Sequence, residues 1–132
     1  MRKIAGFFDN LHFTESSFGL PVVHGSTLRI PVSGLFVLRG HPLLENGDGP
    51  YTGWLVFENV RDARRTVTEY TGESKLAGEF GKPYEVEDGP FPQVVGDPGV
   101  TFEFEGLQLE PKAWVDNWIV RADSFELIVD RA

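Results

Sequence analysis

Residues 113–132 read AWVDNWIVRADSFELIVDRA, with Trp114 and Trp118 four positions apart and Asp116 and Asn117 between them. In the second half of this stretch Phe125, Leu127 and Val129 alternate with Ser124, Glu126 and Asp130, and Ile128 is an apolar exception on the outer side. Period-two alternation puts one face of a strand on a core and the other in water, the pattern of antiparallel sheet. RADS at 121–124 reads as the tight link between two strands. On a regular strand, residues two and four apart share a face. Trp114, Asp116, Trp118 and Val120 are therefore expected on one side, and Val115, Asn117, Ile119 and Arg121 on the other. The two indoles would then sit about 13 Å apart. Exposed, they would form an aromatic platform around a carboxylate, fit to stack on a sugar ring or another flat ligand. Buried, Trp118 would be core, and Asp116 would need a partner or a bulge, because an unpaired buried charge is costly. Each tryptophan stands among apolar residues, which favours the core.

The same alternation recurs upstream. Leu28, Ile30 and Val32 alternate with Thr27, Arg29 and Pro31; Phe102 and Phe104 alternate with Thr101, Glu103 and Glu105, and Leu107 and Leu109 are expected to continue the apolar series. GWLVFENV at 53–60 is apolar at both parities from Trp54 to Phe57, which predicts a central strand covered on both faces. Turn chemistry separates these runs: NGDGP at 46–50, YTGES at 70–74, EDGPFP at 87–92 and GDPG at 96–99. Pro31, lacking an amide donor, predicts an edge or a bulge.

Two stretches are harder to read. In NVRDARRTVTEY, Val60, Ala63, Val67 and Tyr70 have helix-like spacing, yet TVTEY is β-branched and alternating. A hairpin is the expectation, with LVFENV returning as RRTVTEY. Residues 71–99 predict a compact surface loop anchored by Leu76, Phe80, Tyr84 and Phe91.

Residues 1–132 are accordingly expected to form a single all-β, mainly antiparallel domain, a two-layer sandwich or flattened barrel of roughly seven to nine strands with room for one short helix. The expected core is Leu28, Ile30, Val32, Leu35, Val37, Trp54, Val56, Phe57, Val67, Phe102, Phe104, Leu107, Trp118, Phe125, Leu127 and Val129.

Composition narrows the function. With no cysteine, disulfides, Cys-ligated zinc, iron–sulfur clusters and thiol catalysis drop out. The net charge is −8. Residues 1–66 hold seven Lys/Arg against six Asp/Glu, a net of +1, and residues 67–132 hold five against fourteen, a net of −9. Such a chain repels nucleic-acid phosphates, and its sequence has no run near the ~18 apolar residues of a membrane span. GDPG and NGDG put acids where a phosphate cradle needs amides and a lysine, so no cofactor is expected. A cytoplasmic location is the expectation.

Candidate chemistry is sparse. His12, His24 and His41 lie on three segments and would have to converge to bind metal; solvated or capping roles suit their turn-rich surroundings better. Ser26 follows His24 closely, but adjacency does not make a triad. Glu85, Glu87, Asp88, Glu103, Glu105 and Asp116 are a pool from which an acid–base pair could come. EVEDG lacks the alternating ligands of a calcium loop. RDARR at 61–65 is the one basic cluster, suited to a solvated face or to pairing with acids elsewhere.

The leading expectation is a non-catalytic binding protein acting through a protein–protein surface, one variety being an acidic inhibitor or immunity-type protein that blocks a basic toxin or enzyme. The alternative is a carbohydrate or small-ligand module using Trp114, Asp116 and Trp118. A carboxylate- or His-dependent enzyme stands third. Free sheet edges would also allow a homodimer.

Overall fold

The computed structural model describes residues 1–70, 81–93, 96, 99–109 and 112–130. Eleven strands lie among them: β1 (Arg2–Ala5), β2 (Leu11–His12), β3 (Ser17–Phe18), β4 (Val22–His24), β5 (Thr27–Val37), β6 (Tyr51–Glu58), β7 (Asp62–Glu69), β8 (Tyr84–Asp88), β9 (Val100–Gln108), β10 (Ala113–Ala122) and β11 (Ser124–Val129). Their order is β1-β11-β6-β5-β3-β9-β10-β7-β8, with β2 and β4 also pairing with β5. Every pairing is antiparallel except β3 with β9. The fold is all-β, as the alternation predicts. The strands exceed the expected seven to nine because β2, β3 and β4 are two or three residues long, too short to show a period.

One sheet makes both layers. Phe57 of β6 stacks on Phe104 of β9 with centroids 5.9 Å apart and planes 7° from parallel. Those strands are three places apart in the sheet, so their rings meet only because the sheet folds over on itself. The first layer is β1-β11-β6-β5, the second β9-β10-β7-β8, and β3 is the corner. Phe8 fills the space between them, contacting Phe102 and Phe125 edge-on at 5.0 Å each. Such edge-to-face pairs add about 0.5–1.5 kcal/mol beyond the area they bury. Phe8 opens a short 3-10 turn, Phe8–Asn10, and a second spans Pro42–Asn46. These two turns, rather than one short α-helix, are the helical structure among the described residues.

The inner face of β6 carries Tyr51, Gly53, Leu55 and Phe57, while Val56, 4% exposed on the outer face, lies between Arg29 and Glu126 in register. The central position expected of this strand is therefore observed, but Trp54 is only half-buried, with the Arg29 guanidinium 5.0 Å over its ring. On β9 the inward series runs Phe102, Phe104, Gly106, Gln108, and Leu107 and Leu109 face out. The expected core membership of Leu107 fails because parity holds through Gly106. A Cβ there would lie 2.5 Å from Cε2 of the buried Phe18, so glycine makes room for the corner's ring.

Three further expectations need correction. Residues 62–69 are a strand, but β7 does not return along β6. At Asn59, with φ 52°, the chain leaves the first layer; Val60 donates to Ser26 O (2.9 Å) and Arg61 to Arg121 O (2.7 Å), carrying it to the second. Pro31 is neither at an edge nor in a bulge. It pairs with Trp54 on one side, and on the other it falls in the gap between β4, which pairs through Arg29, and β3, which pairs from Val32, with Gly19 donating to its carbonyl. Tyr84 is 43% exposed on β8 instead of anchoring a loop, although Phe91 does pack against the core. Leu76 and Phe80 lie outside the described residues.

Candidate functional site

Strand β10 changes faces in its middle. Against β9 the register runs Val115↔Gly106 and then Trp118↔Phe104; against β7 it runs Asp116↔Thr66 and then Ile119↔Arg64. Three steps on β10 match two on each neighbour, so one extra residue is present, a β-bulge. Asn117 takes the positive φ of 48° there, a conformation Asn tolerates better than most residues. Ala113 and Val115 are buried before the bulge; Trp118, Val120 and Ala122 are buried after it. The expected shared face is thereby undone. Trp114 points outward, 37% exposed, and Trp118 points inward, 1% exposed. Asp116 stays half-buried at the bulge, its Oδ1 enclosed without a hydrogen-bond partner among the described residues. Trp114, Asp116 and Trp118 do not form one platform.

Trp118 sits instead over an ionic cluster. Its ring stacks on Phe104 (5.0 Å) and meets Phe18 edge-on (5.4 Å), while the Arg65 guanidinium lies 5.0 Å over it. Its Nε1 donates to Asp88 Oδ2 at 3.1 Å, and Arg65 is ion-paired with Asp88 Oδ1. The two charged side chains are 9% and 4% exposed. Burial pushes the Asp88 carboxyl above its ordinary pKa, against the pull of the Arg65 charge and of its hydrogen bonds from Arg65 and Trp118. Asp88 faces inward because β8 pairs with β7 in the register Ala63↔Asp88 and Arg65↔Val86. This cluster ties the last strand of the second layer to the core.

Within the basic cluster Arg61 also finds an acid, while Arg64 has no ion pair among the described residues. Arg61 pairs with Asp123 at 2.6 Å, and Asp62 accepts from Arg121 Nε at 2.8 Å. Arg61, Asp62 and Arg121 border a groove of about 700 Å³, lined by Arg64, Glu87, Asp88, Pro90, Phe91, Thr101, Glu103 and Ile119 as well. Its size lies in the range of small-molecule sites, roughly 300–1,000 Å³, but those are mostly apolar, whereas charged side chains dominate this lining. Of the residues that carry candidate acid–base carboxylates, Glu87, Asp88 and Glu103 line the groove, with the Asp88 carboxylate itself turned inward to Arg65 and Trp118; Glu85, Glu105 and Asp116 do not line it.

The remaining candidates stand apart from it. His12 and His24 are exposed on β2 and β4. His41 is buried, caps the Pro42–Asn46 turn through Nδ1, which accepts from Leu43 N at 3.1 Å, and packs edge-on to Phe7; burial, helped by the Arg2 charge, lowers its pKa. Ser26 donates to Asn59 Oδ1 (3.4 Å), not to a histidine. Among the described residues no three His, Asp or Glu side chains are grouped to hold a metal ion, and no helix is long and apolar enough to cross a membrane.

The outer face of the second layer is what sequence reasoning missed as a unit. One cross-strand row runs Leu107, Trp114, Thr68; the next full row past the bulge runs Glu103, Ile119, Arg64, Glu87. Glu105 and Asp116 lie between them, and Leu109, 52% exposed, extends the apolar end. An exposed indole thus borders an acidic field. Comparison with known families, with curated proteins and with solved structures returns no match in any of the three.

Proposed function

We propose that this chain is a non-catalytic binding protein that engages a basic protein partner through the outer face of β9, β10 and β7. The observation that carries this is Trp114, exposed beside Leu107 and Leu109 at the border of Glu103, Glu105 and Asp116. Exposed tryptophans flanked by apolar and charged neighbours are the side chains that dominate protein interfaces. The acidic surroundings steer a basic partner and speed its encounter. Arg61, Asp62, Arg65, Asp88 and Arg121 are already ion-paired within the chain, which leaves Glu103, Glu105 and Asp116 to outweigh Arg64 on this face. An inhibitor or immunity-type role, in which this face covers a basic enzyme or toxin, is one form of such binding. A cytoplasmic setting accompanies it, since the chain needs no disulfide.

The test compares captured proteins from a lysate at low salt for the wild type, Trp114→Ala and Glu103→Lys/Glu105→Lys. A partner retained by the wild type and lost by both variants supports the proposal. A partner retained equally by all three removes this face from consideration.

A further inference from the structure

Strand β8 ends the strand order, and among the described residues it pairs only with β7. Its other side is an open edge, a row of N–H and C=O groups without a strand partner there. Residues opposite each other on neighbouring strands share a face. The register Ala63↔Asp88, Arg65↔Val86 and Val67↔Tyr84 therefore turns Tyr84, Val86 and Asp88 inward, and Glu85 and Glu87 outward. Val86 packs against the core, while both glutamates are exposed. Neither is ion-paired among the described residues, although Arg64 lies opposite Glu87 on β7. The strand itself is held from within. Asp88 is bonded to Arg65 and Trp118, and Tyr84 Oη donates to Glu69 Oε1 at 3.0 Å. The edge is thus a fixed template of 5 residues, roughly 17 Å long.

The other edges have different chemistry. At the opposite end of the strand order, β1 turns Lys3 and Ala5 outward. The short β4, paired only with β5 among the described residues, carries Val22, Val23 and His24 and no carboxylate. A basic strand is repelled by the first and finds no counter-charge on the second, so β8 is the edge it selects. A second copy of β8 is disfavoured there, because antiparallel pairing about Val86 sets Glu85 against Glu87 of the other copy.

We infer that β8 receives an extended basic segment of a partner as a further strand of the second layer. Opposite Asp88, Glu87, Val86, Glu85 and Tyr84, the segment reads apolar, basic, apolar, basic, apolar. Backbone hydrogen bonds to the edge supply affinity, and the alternating side chains supply selection. Each Lys or Arg meets a glutamate on the outer face, and the central apolar residue extends the cover over Val86. The inference does not rest on the Trp114 face.

The experiment uses the full chain and a capped, fluorescently labelled peptide, Thr-Val-Lys-Val-Lys-Val-Thr. Its control has the same composition with the two lysines adjacent, which destroys the alternation. At about 50 mM salt, where surface charges are weakly screened, anisotropy should show the peptide bound and the control at least about tenfold weaker. Glu85→Lys/Glu87→Lys, at exposed positions, should keep the circular dichroism spectrum of the wild type and weaken binding by about tenfold or more. That variant leaves Glu103 and Glu105 in place, so the loss assigns the peptide to β8 and not to the Trp114 face. Hydrogen exchange followed by NMR should show alternate amides of Tyr84–Asp88 exchanging fast in the protein alone and protected once the peptide binds. Should the double variant not fold, the control peptide and the amide exchange decide the matter. Absence of binding, equal binding of the control or of the folded double variant, or β8 amides already protected before peptide is added would each overturn the proposal.

Discussion

Replacing Asp88 with alanine tests the ionic cluster under Trp118. The substitution removes the carboxylate that pairs with Arg65 and accepts from Trp118 Nε1. Arg65, 9% exposed, is then left as a buried charge without a counterion, and its Nε already has no hydrogen-bond partner among the described residues. Breaking a buried pair in this way costs about 3–5 kcal/mol, out of roughly 5–15 for a whole domain. That corresponds to about two to four decades in the folding equilibrium. Asp88→Asn keeps an acceptor for the indole and for Arg65 and mimics the neutral carboxyl that burial favours, so its loss should be smaller, about 0.5–1.5 kcal/mol. Urea unfolding followed by tryptophan emission and by circular dichroism measures both losses, with coincident curves as the check on two-state behaviour. A loss below about 1 kcal/mol for Asp88→Ala, with unchanged slope, would refute the reasoning. It would mean that Arg65 reaches water and the cluster holds nothing.

Other consequences can be measured on the same footing. The Asp88 carboxyl is pushed above its ordinary value of 3.8, burial outweighing Arg65. A carboxyl raised by folding contributes stability that is fully present below the unfolded value and lost as pH rises through the folded one. Unfolding midpoints of wild type and Asp88→Asn, compared from pH 7 to 3, should therefore move in favour of the wild type on acidification; movement the other way would show the ion pair dominating. Asn117→Val, which forces a β-branched residue to φ 48°, should cost about 1–2 kcal/mol in denaturant titrations, whereas Asn117→Gly should be near neutral. Gly106→Ala sets a methyl 2.5 Å from the Phe18 ring, which Phe13, Phe104 and Trp118 hemmed in already contact, and should cost about 1–3 kcal/mol by overpacking. A neutral Gly106→Ala would show that the corner has slack.

The fold was legible where strands are long and one-sided. Leu28, Ile30 and Val32 on β5, Phe102 and Phe104 on β9, and Phe125, Leu127 and Val129 on β11 all face inward as their alternation indicates. What escaped was the place where alternation breaks. The apolar positions of β10 switch from Ala113 and Val115 to Trp118, Val120 and Ala122, and Asp116–Asn117 sits at the switch. Reading the segment as one regular strand joined two tryptophans that the bulge separates. An Asp-Asn pair inside an otherwise apolar run is the signal that marks such a bulge. The partners of β7 were hidden for another reason. Its neighbours β10 and β8 are fixed by contacts across the folded sheet, and adjacency to β6 in sequence carries no information about them. Asp88 was hidden in the same way, since only the β7–β8 register aims it at Arg65.

The separation of the two tryptophans by the β10 bulge is most directly tested by hydrogen exchange at the indole N–H groups, followed by NMR on the ¹⁵N-labelled protein. Trp118, buried and bonded to Asp88, should be strongly protected, while the half-exposed Trp114 should exchange rapidly. Equal, fast exchange at both positions would place Trp118 in solvent and contradict the account.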